Sequence, residues 1–482
     1  MTRHNDTDVL IVGAGPAGLV LAVELARRNV RFRLVDRSPE FFGGSRADGL
    51  APRTLEVFAD LGIADAVLAE GNMGIEVRGY AGGKEIWAGR TTEPMPARPD
   101  VPYPNIWFLP QYRTEQLLRE RLAELGHRVE QSCELVGFEH DADGVTATLA
   151  SPDGTTTVRA GYLVGTDGGH SVVRKRLGIR FEGETDDATT ALFADVRLAG
   201  LDRAHGRVWQ SGDAGVALMP LSGTDKFTMT LRAPESGEPT LEYLQHEITE
   251  ATGNDTIQLR ELTWSTVWRA NARLAERYRD RRVFLAGDAA HICPPTGGQG
   301  MNTGIGDAYN LGWKLAAALG GAPETLLDTY AAERVPAAQA ALDLADKLLR
   351  KHKRGDDDAH VRGSEVHQLG LNYRGGPLSE DLRPEPGPVT AGDRAPDSPL
   401  PAGHVFDLLR GTQWTVLVFG EPDPAGYGDT ARVHAIIAEQ AREIYHVADG
   451  TAVVVRPDGY IGQIGGTRTD IARYLEQVTP TA

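Results

Sequence analysis

Apolar and polar positions at the start of the chain fall into a strand, a turn, a helix and a second strand. Val9–Val12 is an unbroken apolar run, as expected of a strand buried on both faces of a parallel sheet. Gly13-Ala14-Gly15-Pro16-Ala17-Gly18 follows, then a helical stretch from Leu19 to Arg28, then a strand over Arg31–Val35 that ends at Asp36. The same order of apolar run and glycine turn recurs twice. Tyr162–Gly165 leads into Thr166-Asp167-Gly168-Gly169-His170-Ser171 and then Val172-Val173-Arg174. Val283–Ala286 leads into Gly287-Asp288-Ala289-Ala290-His291, the loop Cys293–Asn302, and a helix to Leu319 stopped by Gly320-Gly321. Between these, Val216–Leu221 and Phe227–Arg232 read as strands, the second with clear alternation. The tail resumes a mixed pattern after a helix over Ala337–Lys353 and a linker-like Pro384–Pro388. It predicts a strand Thr415–Phe419, a helix Val433–Ile444, strands Ala452–Arg456 and Tyr460–Gln463, and a helix Asp470–Val478.

The first turn matches G-x-G-x-x-G, and its residue types have steric reasons. Gly13 allows the tight turn, Gly15 lets a pyrophosphate approach the backbone, and Gly18 lets helix and strand pack closely. Pro16 and Ala17 open the helix, whose N-terminus offers free N–H groups to phosphate. Asp36, eighteen residues beyond Gly18, stands where an acid takes ribose hydroxyls. The motif alone does not separate FAD from NAD.

Composition narrows the class. Of 482 residues 56 are Gly, against a usual ~7%, with no collagen period, so the excess belongs to particular turns. A net charge of −17 argues against nucleic acid or an anionic membrane as partner. The two cysteines, Cys133 and Cys293, form neither a disulfide framework nor a zinc site, so a reducing cytoplasm is the expected location and no metal is expected. The uncharged stretch Val9–Val23 is too short and too rich in Gly and Pro to span a bilayer.

Asp167 and Asp288 both stand at the carboxyl end of a predicted strand, where ligands of open α/β sheets bind. An acid there can accept hydrogen bonds from a polyol chain. A Gly-rich loop feeding a helix N-terminus can lie against a flat ring and stabilise negative charge on it.

With these three motifs in this order, residues from about 7 to 345 resemble the class A flavoprotein monooxygenases of the p-hydroxybenzoate hydroxylase fold, especially actinobacterial aromatic polyketide hydroxylases. The resemblance implies an α/β architecture: a Rossmann-type FAD-binding domain (residues 1–73, 103–177 and 269–350), an inserted sheet-rich substrate domain (74–102 and 178–268), and a C-terminal thioredoxin-like domain (390–482). It implies that Gly13, Gly15, Pro16, Ala17 and Gly18 hold the FAD pyrophosphate and that Asp36, with Arg37 beside it, takes the adenosine ribose. Arg46 matches an arginine beside the FAD phosphates and the pyridine nucleotide, and Gln111 a glutamine on the FAD chain. Asp167 and Gly168 match an Asp-Gly motif that serves both FAD and NAD(P)H. Asp288 matches the ribityl ligand, while Pro295, Gly298, Gly300, Met301 and Asn302 match the loop lining the isoalloxazine. The family usually carries Glu where this chain has Asp36, and the shorter acid should still reach.

The implied reaction uses NADPH or NADH to reduce FAD, then O2, and a flavin C4a-hydroperoxide transfers hydroxyl to an aromatic carbon. The cofactor carries the difficult chemistry, so no catalytic side chain is expected. Cys293 and His291 read as packed loop residues rather than as nucleophile and base. Trp87, Phe193, Trp209, Met219, Met229 and Arg232 are candidates for the substrate wall. No Tyr-rich, phenol-deprotonating cluster stands out, which leans toward a bulky polycyclic polyketide. Baeyer–Villiger or epoxidising chemistry stays open on the same scaffold, as does sequestration of an aromatic compound without turnover. The thioredoxin-like tail holds no cysteine, so it is expected to be structural or a dimer contact in a monomer or homodimer.

Overall fold

In the computed structural model, which describes residues 6–211, 214–234, 239–354, 361–420 and 431–479, the strand Thr7–Val12 lies between Phe32–Val35 and Gly154–Gly165, parallel to both. Val283–Leu285 continues the parallel order beyond Gly154–Gly165, and Arg279–Asp280 closes that edge antiparallel. The hairpin Glu134–His140 and Val145–Ser151 brings this sheet to seven strands. Where its central strands pair in parallel, Val9–Val12, Tyr162–Gly165 and Val283–Leu285 are buried. The helix Pro16–Arg27 buries Gly18 through Ala26 without interruption, and each large apolar side chain among them contributes roughly 1.5–3 kcal/mol. It packs on the helix Gly300–Leu319 so closely that a Cβ on Gly312 would stand 2.9 Å from Glu24.

A second sheet of eight strands runs in the order His291–Ile292, Gln258–Ala275, Phe181–Ala199, Phe227–Leu231, Ala214–Pro220, Gly206–Ser211, Glu76–Ala81, Lys84–Arg90. The helix Leu241–Thr252 covers one face through Leu244 and Ile248, which join a core containing Leu192, Ala194, Val196 and Leu218. Side chains alternate with period two, so Phe193, Asp195 and Thr228 turn to the opposite face.

The tail forms a five-stranded sheet, Glu380–Asp381, Ile461–Ile464, Ala452–Val455, Trp414–Phe419 and Ala431–Ile436. The helix expected over Val433–Ile444 is two elements. Ala431–Ile436 pairs in parallel with Trp414–Phe419, and a shorter helix occupies Glu439–Tyr445. Backbone pairing with an existing buried strand outweighs a weak local helical preference here. The helix expected after Pro336 begins earlier and runs Asp328–Arg354 through the proline. One lost N–H bond is tolerated because much of this helix is anchored by packing and buried ion pairs. Part of the charged run Lys351–Asp358, read as a solvated loop, lies outside the described residues.

Candidate functional site

Register brings the three glycine turns to one edge. Val12 is paired with Val35 on one side and Gly165 on the other, and Gly165 with Leu285. The residues that follow each, Gly13, Asp36, Thr166 and Ala286, therefore leave the sheet together.

The first turn is shaped by what its glycines lack. Gly13 has φ +105°, and a Cβ there would meet the Thr166 carbonyl oxygen at 2.4 Å. A Cβ on Gly18 would stand 2.0 Å from the Gly13 oxygen, whereas one on Gly15 would meet nothing within 4 Å. Two glycines thus close the backbone and the third leaves open space beside it. Behind that space no side chain caps the N-terminus of Pro16–Arg27, so its first N–H groups remain available to an anion. The Asp36 carboxylate accepts from the Ala14 N–H at 2.8 Å and the Ser38 N–H at 2.8 Å, which ties the turn to the second strand. Ala17 packs 3.1 Å from where a Gly287 Cβ would be, joining the first and third turns. Arg37 and Arg46 are exposed near this mouth, Arg46 lying over the Phe42 ring at 4.8 Å. Gln111 is buried and donates to Glu115 at 2.8 Å. Burial pushes the Glu115 carboxyl up to about 7 against the pull of Gln111, Arg119 and Arg46.

Asp288 is the one exposed residue between Val283 and Ile292. Its carboxylate makes no hydrogen bond among the described residues, and the buried strand before it aims it outward. Asp167 behaves differently from the expectation that it would face a ligand. It accepts from Ser171 Oγ at 2.5 Å and from the Val172 and Val173 N–H groups at 2.6 and 3.2 Å. The carboxylate is engaged at the N-terminus of the short helix Val172–Arg176, because three donors there are otherwise unsatisfied. Gly168, at φ +78°, leaves open space in its place. Arg174 then ties the second and third turns by donating to the Gly169 and Ala289 carbonyls at 2.8 and 2.9 Å.

In the long loop, Pro295 and Gly298 are exposed, Gly300 is half-buried, and Met301 packs partly into the core. Asn302 departs from the expectation of a ring-lining side chain. It accepts from Ala51 N–H and Thr54 Oγ1 and donates to the Gly49 and Gly298 carbonyls. All four hydrogen-bonding positions of its amide are filled, so it is a fastener between loops. Beneath the loop lie Asp307 and Arg334, which sequence reasoning missed, around His291, which it read as packed. Asp307 accepts from the Gly287 N–H at 3.1 Å and from Arg334 at 2.8 Å, and lies 2.7 Å from His291 Nε2. Burial works against a charged imidazole, yet the Asp307 carboxylate outweighs it and pushes the His291 pKa up to about 10. His291 is thus a packed loop anchor; helical spacing from Thr303 to Asp307 was the available signal.

The six residues read as substrate wall separate by face. Trp209 and Met229 are corrected to the core under Leu241–Thr252: Met229 is two residues from Phe227 and Leu231 of that core, and Trp209 stands directly opposite its member Val216. Phe193 lies on the other face, edge-on to Trp268, and Met219 also points away from that core, beside Gly206. Trp87 covers Gly79 on the edge strand, and Arg232 is exposed just beyond Phe227–Leu231, away from a closed pocket. Asp195, not foreseen, is fully buried on the Phe193 face. It accepts from Thr228 Oγ1 at 3.2 Å, and its Oδ2 has no hydrogen-bond partner. Burial pushes it up to about 6, against Thr228, the Ser45 amide and Lys226. A lone acid in the apolar run Leu192–Val196 was its signal.

Residues 6–345 match the family described as FAD binding domain. A flavin-dependent monooxygenase of Mycobacteroides abscessus is 42% identical across 98% of this chain and 99% of that protein. The 6-methylpretetramide 4-monooxygenase of Streptomyces rimosus is 34% identical across 96% of this chain and 92% of its own length. Aklavinone-11 hydroxylase, solved with FAD and aklavinone, superposes with a TM-score of 0.82 at 29% identity, covering 99% of this chain and 98% of that one. No helix among the described residues is long and apolar enough to cross a membrane.

Proposed function

The chain belongs to the FAD-binding-domain family and is an FAD-dependent monooxygenase, and we propose that it uses NAD(P)H and O2 to add one oxygen atom to an aromatic, polycyclic polyketide. The observation that carries the reading is the convergence of three strand ends on a turn left open at Gly15, beside the free carboxylate of Asp288. These residues fit FAD. Gly13, Gly15 and Gly18 with the Pro16 helix end hold its pyrophosphate, Asp36 its adenosine ribose, and Asp288 its ribityl hydroxyls. Arg46 and Gln111 would flank the chain, and the loop at exposed Pro295 and Gly298 and half-buried Gly300 would meet the ring.

Bound FAD supplies hydride acceptance and O2 activation. The protein's share is binding, orientation and exclusion of water. Asp307 holds the Gly287 N–H, and with it the turn from which Asp288 projects. The N-terminus of Gly300–Leu319 carries no side-chain cap and stabilises negative charge that develops against its first turn. Trp264 and Trp268, directly opposite Asp195 and Ala191 in the sheet, share the Phe193 face, and with Phe193 and Met219 they give an apolar wall against water, the aromatic substrate lying between them and the loop. The 6-methylpretetramide and aklavinone named for two relatives support a polycyclic substrate, while a pentachlorophenol 4-monooxygenase of Sphingobium chlorophenolicum at 34% identity makes a monocyclic phenol the competing member of the test panel. We assign residues 1–73, 103–177 and 269–350 to FAD, 74–102 and 178–268 to substrate, and 390–482 to a cysteine-free, thioredoxin-like module with a structural or dimer-contact role.

The test is a flavin spectrum of the purified protein, then NADPH and NADH oxidation with a panel of aromatic polyketides and product masses. The expected result is bound FAD and substrate-stimulated oxidation giving a ring-hydroxylated product. Ring expansion to a lactone would replace hydroxylation by Baeyer–Villiger chemistry, and protein that cannot take up FAD would end the reading.

A further inference from the structure

Away from the flavin loop, a cavity of about 370 Å³ lies between the helix Pro52–Leu61, the segment 97–104 and the tail. The spacing of Arg53, Glu56 and Asp60 puts them on one face of that helix, toward the cavity. Thr54, bonded to Asn302, lies on another face, so the helix separates the cavity from the flavin loop. Val101, Pro102, Pro104, Phe406 and Leu409 form the apolar part of the lining, and Arg98, Tyr103, Asp397, His404, Asp407, Arg410 and Asp458 form a polar part.

The acids of this lining are already engaged. Glu56 accepts from Arg53 and Arg394, and Asp60 from Arg27, Tyr309 and the Gly411 N–H. Asp458 accepts from Arg456 and Trp313, Asp397 from the Phe406 N–H, and Asp407 from the His404 N–H. Arg53 is held by Glu56, Arg98 by two bonds to Asp100, and His404 lies against Asp397 through Nδ1, which leaves the Arg410 guanidinium and the Tyr103 hydroxyl as the groups best placed to take a guest. The Arg410 guanidinium is 3.6 Å from its nearest carboxylate, Asp407, with more than half its side chain exposed. The Tyr103 hydroxyl has no hydrogen-bond partner among the described residues, and the Arg410 charge acts on it, opposing the upward push of burial. A planar guanidinium matches a carboxylate in two-pronged fashion, and apolar walls of this size suit fused rings.

We propose that this cavity is a second binding site, for a fused-ring aromatic carboxylate: Arg410 and Tyr103 take the carboxylate, and Phe406 with Val101 and the two prolines takes the rings. Its occupant touches Tyr309, on the same helix as Asn302, and Arg53, on the helix that Asn302 fastens. It can therefore stiffen the support of the flavin loop without entering it. The second site does not depend on the substrate assigned above.

Calorimetric titration of the FAD-loaded protein with 2-naphthoate tests it, with the flavin spectrum recorded at each step. The expected result is saturable binding that Arg410→Gln and Phe406→Ala each weaken at least tenfold, with an unchanged flavin spectrum. The neutral 2-naphthylmethanol should bind at least tenfold more weakly than 2-naphthoate. Arg410 is largely exposed, so its variant keeps the test valid if Phe406→Ala folds poorly. Binding that Arg410→Gln leaves at wild-type strength, binding confined to the flavin site, or no binding at all would overturn the proposal.

Discussion

Glu333 and Arg334 are adjacent on the helix Asp328–Arg354, yet they enter two separate buried clusters. Arg334 reaches Asp307, the Thr303 carbonyl and Tyr373, and Asp307 in turn holds His291 and the Gly287 N–H. Glu333 accepts from Arg456 at 2.6 and 2.9 Å, from Lys314 at 2.7 Å and from Asn310 at 2.7 Å. Arg456 also pairs with Asp458, which accepts from Trp313 at 3.0 Å. The first cluster ends on backbone groups either side of the loop Cys293–Asn302, the Gly287 N–H and the Thr303 carbonyl, and leaves His291 Nδ1 without a hydrogen-bond partner. The second ends on side chains of three distant segments and touches no part of the loop. One set of buried charges positions a site; the other fastens the tail. Burial opposes ionisation in both, and in both the opposite charges prevail: Asp307 and Glu333 are held below the usual carboxylate range.

Substitutions in the two clusters should therefore part stability from cofactor affinity. The largest effect belongs to Arg456→Met, which strands Glu333 and Asp458 in a dry interface and should cost about 3–5 kcal/mol of unfolding free energy. Denaturant melts would show it, while FAD affinity of the folded fraction stays near wild type. Asp307→Asn should cost less, about 1–3 kcal/mol, because His291 can release its proton. Its FAD dissociation constant should nevertheless rise tenfold or more, since the Gly287 turn loses its anchor. Equal FAD affinity in the two variants would dissolve the distinction. Asp288→Ala should weaken FAD by roughly tenfold, the value of a charge-assisted hydrogen bond of about 1.5 kcal/mol or more. The apoprotein should melt as the wild type does, because this side chain supports nothing in the fold.

The smallest expected effect concerns Asp195, a buried carboxylate belonging to neither cluster. Its pKa rises from an ordinary 3.8 to about 6 in the folded protein. The folded state therefore holds the proton more tightly, and stability falls as pH rises between those values. Asp195→Asn escapes that loss, so it should be more stable than wild type by about 1 kcal/mol at pH 7.5 and equal to it near pH 3.5. A gain that persists at the acid end would assign the effect to packing.

Local chemistry is legible in a sequence, and the three strand-and-glycine turns were read for that reason: Gly13, Gly15 and Gly18 act within six residues. Partnerships were not. Arg456 and Glu333 are 123 positions apart, and nothing local in Arg456-Pro457-Asp458-Gly459-Tyr460, a segment that resembles part of the thioredoxin-like domain, names its partners. Asp167 sat where expected, but its direction depended on the three donors of the helix after it. For Trp209 and Met229, alternation was readable but its phase was not, because phase depends on which face the helix Leu241–Thr252 covers. Val433 belongs to a strand for a similar reason: its partner Val416 decides.

The role proposed for this edge of the sheet is to hold a flavin that inserts one atom of O2 into an aromatic ring. Turnover of an aromatic polyketide with NADPH or NADH under 18O2, followed by mass spectrometry of the product, decides it. The expected product carries one 18O atom on a ring carbon, with reductant consumed in step with product. Oxygen derived from water, or reductant consumed to peroxide with every polyketide left unmodified, would contradict that role.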